Sequence, residues 1–211
     1  MKDSRAPIRR VAVSAAATLA ALTLTACGGD GDNGATESSP RATASPEAAD
    51  GRHNAADVTF AQSMIVHHRQ AVAMSDMAAD HGASAQVEAL AEKIKKAQEP
   101  EITTMSGWLR SWGEDVPEGM ETDGMDHGMD SSPMPGMMGD EQMEALRGTS
   151  GAAFDTMFLT MMIQHHKGAI AMAETERKQG AYGPAKQLAD EVVATQRAEV
   201  TQMEKMLRGE D

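Results

Sequence analysis

The sequence holds a single cysteine, Cys27, in 211 residues. A disulfide framework is therefore excluded even in an oxidising compartment, and packing alone must hold the core. Aromatic residues make up 3% of the chain and strand-type alternation is nearly absent, which leaves helices as the main structural option. Positive charge is also short, with 19 Lys and Arg against 32 Asp and Glu for a formal net charge of −13. So acidic a surface repels a phosphate backbone, which excludes nucleic acid as a partner, but it concentrates cations. There is no Ser-His-Asp signature, no phosphate loop, no dinucleotide glycine pattern and no Cys-x-x-Cys-His for haem attachment. Nor does any histidine have a glutamate three residues upstream, the spacing on which helical di-iron sites draw.

What is present begins with a basic start. Lys2, Arg5, Arg9 and Arg10 flank an apolar stretch from Val11 to Thr25, too short to span a membrane comfortably. The stretch ends at Leu24-Thr25-Ala26-Cys27, small residues of the kind found at a secretory cleavage site. This end resembles a bacterial lipobox, which implies cleavage before Cys27 and lipid attached to its thiol. Residues 1–26 are accordingly predicted to be a lipoprotein signal peptide. Residues 27–53, rich in Gly, Ser, Ala, Pro, Thr and Asp, bury too little to fold and read as a flexible tether. The expected location is the cell envelope, lipid-anchored and facing outside the cytoplasm. Removing the segment, with four basic residues and one acidic, takes the charge from −13 to −16.

The remainder is a duplication. Phe60–Leu109 aligns with Phe158–Leu207 at an offset of 98 without a gap, and 17 of 50 positions are identical, far beyond coincidence. Matches include Phe60/Phe158, Met64/Met162, His67/His165, His68/His166, Gly82/Gly180, Gln98/Gln196, Glu101/Glu199 and Met105/Met203, with Asp57/Asp155 just upstream. Each copy reads as two helices. Asn54 is the candidate first cap, Gly82 and Gly180 are the stops, and Pro184 falls in a first turn. The second helices run from about Ser84 to Trp112 and from about Gly183 to Arg208. An all-α, ferritin-like four-helix bundle made of two duplicated helical hairpins is expected over 54–208. Repeat 1 spans 54–113, a Met-rich linker 114–139 and repeat 2 140–208. Pro100 sits inside the second helix, where a kink or break is expected.

Polar residues interrupt the apolar stripes. Asp57, Phe60, Met64, His67, His68, Ala71 and Met74 share one helical face, as Gln98 and Glu101 share a face with Ile94 and Met105. Burying such groups without partners costs roughly 1–3 kcal/mol each. With the turn at Gly82, level positions sum to about 165, so Met64 is expected opposite Glu101 and His67/His68 opposite Gln98. The second copy repeats this with Met162, Glu199, His165/His166 and Gln196. Imidazole suits Zn, Cu, Fe and Ni, thioether sulfur favours Cu(I), and a carboxylate on the far ring nitrogen completes such sites. Met64, His67, His68 and Glu101, with Met162, His165, His166 and Glu199, are therefore candidate metal residues. The alternative is a core stripe in which Met fills gaps and the histidines are satisfied by Gln and Glu. Asp57 and Asp155 divide between a metal-linked role and charge compensation at a helix start.

Methionine, 18 residues in all, is the compositional excess, and its densest run lies between the copies. Met120–Met138 carries Met125, His127 and Met129 among Gly, Pro and Asp. A loop of that composition is not core, so gap-filling does not account for its methionines. They read as copper-capturing thioethers beside a histidine, or as methionines of a plain linker docking on the bundle.

Taken together, Asp57-x2-Phe60-x3-Met64-Ile65-x-His67-His68-x2-Ala71-x2-Met74 and Gln98-x2-Glu101-Ile102-x2-Met105-x2-Trp108-Leu109 resemble the "domain of unknown function 305" family. The second copy follows the pattern, with Val200 for the Ile and Met206 for the Trp. The resemblance covers about Asn54 to Arg208 and implies a ferritin-like four-helix fold, an exported location and, for some members, copper binding or tolerance. The leading expectation is an extracytoplasmic copper-binding lipoprotein, Cu(I) favoured, with no catalysis of its own. A metal-free envelope interaction module and a metal-dependent oxidoreductase are the alternatives.

Overall fold

Asn54 opens the first helix. Its side-chain oxygen accepts from the Ala56 and Asp57 N–H groups, while the Asp57 carboxylate accepts the Asn54 N–H at 2.6 Å. This reciprocal box satisfies donors that a helix start leaves unpaired. The computed structural model describes residues 51–119 and 134–210. The stretch read as a signal peptide, nearly all of the stretch read as a tether, including Cys27, and Met125, His127 and Met129 lie outside the described residues.

Five helices follow in order: α1 (Ala55–Asp80), α2 (Ala85–Trp112), α3 (Asp140–Arg147), α4 (Gly151–Gln179) and α5 (Gly183–Leu207). Among the described residues there are no strands. α1 pairs with α2 and α4 with α5, and the two hairpins meet along α1 and α4. The protein is an all-α four-helix bundle of two hairpins, joined through the short α3, which packs on α4. α3 has no counterpart in the first copy. It contributes buried Met143 and Leu146 to the core. None of the helices among the described residues is long and apolar enough to cross a membrane.

The turns follow local chemistry. Gly82 takes φ +63° just past α1, a left-handed conformation that costs other residues about 1 kcal/mol. No atom lies within 4 Å of where its Cβ would sit. Gly82→Ala is therefore expected to lower stability by about 1 kcal/mol through backbone strain alone, read as a shifted denaturant midpoint with unchanged slope. At Pro100 the expectation of a break is corrected, for α2 is one continuous helix from Ala85 to Trp112. Pro100 and Lys96, whose carbonyl loses its i+4 donor, are both exposed, so water accepts the duty of the missing N–H.

The core falls into two apolar clusters. One gathers Ala71, Met74, Leu90, Ile94, Phe154, Phe158, Met162 and Met203, among others. The second gathers Phe60, Met64, Met105, Leu109, Ala169, Leu188 and Val192. Along α1 the clusters are separated at residues 67 and 68, and along α4 at residues 165 and 166. A polar layer lies there.

Candidate metal centre

That layer is built by the duplication. α1 and α4 run antiparallel, and His67 meets its own repeat counterpart His165 across the seam, with ring centroids 3.7 Å apart. His67, His68, His165 and His166 are all fully buried. The outer members turn toward their hairpin partners. His68 Nε2 lies 2.5 Å from Glu101 Oε2, and His166 Nε2 lies 2.8 Å from Glu199 Oε2. A ring N–H donating to a carboxylate is the arrangement that orients ligating imidazoles and makes them better donors.

The register is one helical turn from the expected one. Pairs 68/101 and 166/199 sum to 169 and 365, rather than about 165 and 361. Cβ atoms lean toward the N-terminus of their own helix. In an antiparallel hairpin the two leans bring together side chains whose Cα atoms are not level, and the long Glu side chain extends the offset.

What remains on these rings is unpaired. Nδ1 of His67, His68 and His166 and both nitrogens of His165 are buried with no hydrogen-bond partner. Both amide atoms of Gln98 and Oε1 of Gln196 are in the same condition. Buried polar atoms are nearly always paired, so this concentration of lone pairs in one layer is the exceptional feature of the molecule. It fits an ion that binds imidazole nitrogen. Burial pushes the His67 ring down to about 3 and holds His165 well below the ordinary histidine value. Burial also lowers His166, outweighing the opposing effect of Glu199. Burial acts to raise Glu199, but the His166 hydrogen bond and Lys93, 3.4 Å away, hold it below the usual carboxylate range. The His67, His165 and His166 rings are thus neutral at pH 7 and have lone pairs to offer.

The other candidate residues divide. Met64 and Met162 are fully buried, one turn from the histidines, each within one of the two apolar clusters. Asp57 and Asp155 are not brought to the layer. Asp57 lies ten residues, about 15 Å, up α1 from His67. Beyond its capping box it accepts the N–H groups of Ala181 and Tyr182 in the α4–α5 turn. Asp155 correspondingly accepts the Ser84 N–H of the α1–α2 turn. Each copy's aspartate thus ties down the turn of the other copy. Among the described residues, no three His, Cys, Asp or Glu side chains converge as a preformed chelate.

Sequence reasoning passed over several residues. His67 Nε2 lies 3.1 Å from the Pro135 carbonyl, and Gln70 binds the backbone of Met138. The chain leaving α2 is pinned to α1 as well, by Gln62 on the Asp115 carbonyl and by Arg69 on those of Pro117 and Gly119. His53, in the stretch read as tether, stacks on Trp112 at 4.3 Å.

The family model described as "Domain of unknown function (DUF305)" matches residues 57–207. A crystal structure of a DUF305 protein from Streptomyces coelicolor, assigned as secreted, shares 33% identity with a TM-score of 0.64, covering 74% of this chain and 95% of that one. A DUF305 fragment from Deinococcus radiodurans shares 28% identity with a TM-score of 0.63, covering 73% and 96%. CopM in its Cu(II)-bound form shares 29% identity with a TM-score of 0.59, covering 72% and 96%. CopM has also been solved in a Cu(I)-bound form, at 26% identity and a TM-score of 0.58. Comparison with functionally curated proteins returns no match.

Proposed function

This chain belongs to the DUF305 family, and from that footing we propose that it binds copper outside the cytoplasm, anchored by lipid on Cys27, and sequesters or hands on the ion without catalysis of its own. One observation carries the reading: four buried histidines meet in one layer with unpartnered nitrogens, two of them backed by carboxylates. A core histidine of the ordinary kind has its nitrogens satisfied, and these do not. The copper-bound forms of CopM, similar over nearly its whole length, support the choice of metal. Neutral imidazole suits copper, and thioether sulfur, carried by Met64 and Met162 one turn along the same helices, favours Cu(I).

The Met-rich linker belongs to the same reading. Its two described flanks return to neighbouring residues of α1, Gly119 to Arg69 and Met138 to Gln70, beside the His67–His68 doublet. Met125, His127 and Met129 lie between those anchors in the sequence. Titration with Cu(I) against a competing chelator tests the proposal. The chain is expected to hold copper, and replacement of His67, His68, His165 and His166 is expected to abolish the tightest phase. An affinity untouched by those four replacements and by deletion of 120–133 would return the histidines to the core.

A further inference from the structure

The two copies agree at both histidine positions and then diverge two residues later, with Gln70 in the first and Gly168 in the second. Both members of this mismatched pair meet one short piece of chain, Met134–Gly139, which crosses the α1–α4 seam. Gln70 is 5% exposed and engages Met138 with both ends of its amide. The Met138 N–H donates to Gln70 Oε1 at 2.7 Å, and Gln70 Nε2 donates to the Met138 carbonyl at 2.8 Å. On α4, a Cβ at Gly168 would lie 1.9 Å from the Pro135 carbonyl oxygen and 2.9 Å from the Gly136 Cα. Gly136, at φ +79°, would in turn drive a Cβ to 2.6 Å from the Gln164 carbonyl. Two glycines therefore let backbone rest directly on backbone, and Gln70 fixes the segment from the far side.

The segment held in this way reaches the histidine layer through the Pro135 carbonyl, 3.1 Å from His67 Nε2. A carbonyl only accepts. The His67 proton must be on Nε2, which leaves the lone pair on the buried, unpartnered Nδ1. His165 has no docked segment of this kind: neither of its nitrogens has a close hydrogen-bond partner, and the backbone group that acts on it is that of His67 in the facing helix. We propose that Met134–Gly139 is a backbone clamp that sets the tautomer of His67 and presents its Nδ1 as a metal-donor atom, with Gln70 and Gly168 as the positioning residues. The duplicated layer is thereby asymmetric: a docked segment fixes the first copy's central imidazole and not the second's. The metal half of this inference rests on the copper reading, whereas the tautomer half stands without it.

Gly168→Ala is the primary test. Alanine is a better helix former than glycine, and α1 already carries a side chain at the equivalent position, so the substitution evicts the clamp and spares the helix. Gln70→Ala releases it from the other side. Long-range proton–nitrogen NMR spectra of histidine-labelled, metal-free chain report the tautomer, with His67 assigned by its loss in His67→Phe. Wild type is expected to show His67 protonated on Nε2 alone. Both clamp variants are expected to show a mixture, with Cu(I) affinity weakened on the order of tenfold, as for other groups that orient a ligand. A wild-type His67 protonated on Nδ1, or a tautomer unmoved in both variants, overturns the clamp. A mixed tautomer with unchanged Cu(I) affinity overturns its metal half, and a clamp that behaves as expected in a chain that binds no copper counts against the copper reading alone.

Discussion

Replacing His165 with leucine is expected to make the metal-free chain more stable, by about 1–2 kcal/mol, while costing it most of its Cu(I) affinity. Both ring nitrogens of His165 are fully buried and unpartnered, and each such group carries a desolvation penalty of roughly 1–3 kcal/mol. Leucine fills a similar volume with no polar atom, so the penalty disappears and the packing against His67 is largely kept. A histidine retained for the core would respond in the opposite direction, since removal of a satisfied ring leaves its partners stranded. The pH dependence sharpens the test. His67 and His165 have folded values pushed below the ordinary 6.5 by burial, His67 to about 3. Below pH 6.5 the unfolded chain takes up protons that the folded rings refuse, so stability falls as pH falls. His165→Leu removes one of these protons, and its advantage over wild type is expected to widen by about 1–2 kcal/mol between pH 6.5 and 5. Urea denaturation at the two pH values, with copper titration alongside, decides it. Lower stability with undiminished copper binding would leave the layer without a ligand role.

The sequence is legible where pattern and chemistry agree and opaque where a remote segment intervenes. The offset of 98 exposed both hairpins, and Asn54, Gly82 and Pro184 marked helix limits through capping and turn chemistry. The polar positions were visible as interruptions of the apolar stripes, but the histidine pairs were expected opposite Gln98 and Gln196, whereas each second histidine meets a glutamate. The register was displaced because helical wheels carry no account of side-chain lean. Asp57 and Asp155 looked like site residues because both copies kept them. Their shared task is to tie each turn to the other copy's first helix, a contact that no comparison within one helix discloses. Gln70 and Gly168 were hidden for the opposite reason: they differ. The signal was there, since a glycine in mid-helix opposite a glutamine is costly without a cause, but only the docked chain supplies the cause. The same holds for Glu176, which stands where the first copy has Ala78.

Glu176 leads to the second large effect. It is 1% exposed, beside the equally buried Asp57, in a groove walled by Phe60 and Met172. Burial and the neighbouring Asp57 carboxyl push it up to about 8, with Lys186 opposing. Asp57 moves the other way: burial acts to raise it, but Glu176 and the N–H groups of Tyr182, Asn54 and Ala181 outweigh that. The two therefore hold one proton at neutral pH, carried by Glu176. Between its ordinary 4.5 and about 8 the folded chain keeps a proton that the unfolded chain has released, so this group's contribution to stability declines as pH rises across that window. Glu176→Gln keeps a neutral side chain of the same size at every pH. The variant is expected to match wild type near pH 4.5 and to gain steadily above it, reaching on the order of 4–5 kcal/mol by pH 8 to 9. Asp57→Asn is expected to destabilise at every pH above the carboxylate range, because it leaves the Ala181 and Tyr182 N–H groups without a charged acceptor. Opposite signs from two adjacent acids, read by thermal denaturation between pH 5 and 9, are what a shared proton requires. With two separately ionised carboxylates the gain of Glu176→Gln would instead be the same at every pH above the carboxylate range.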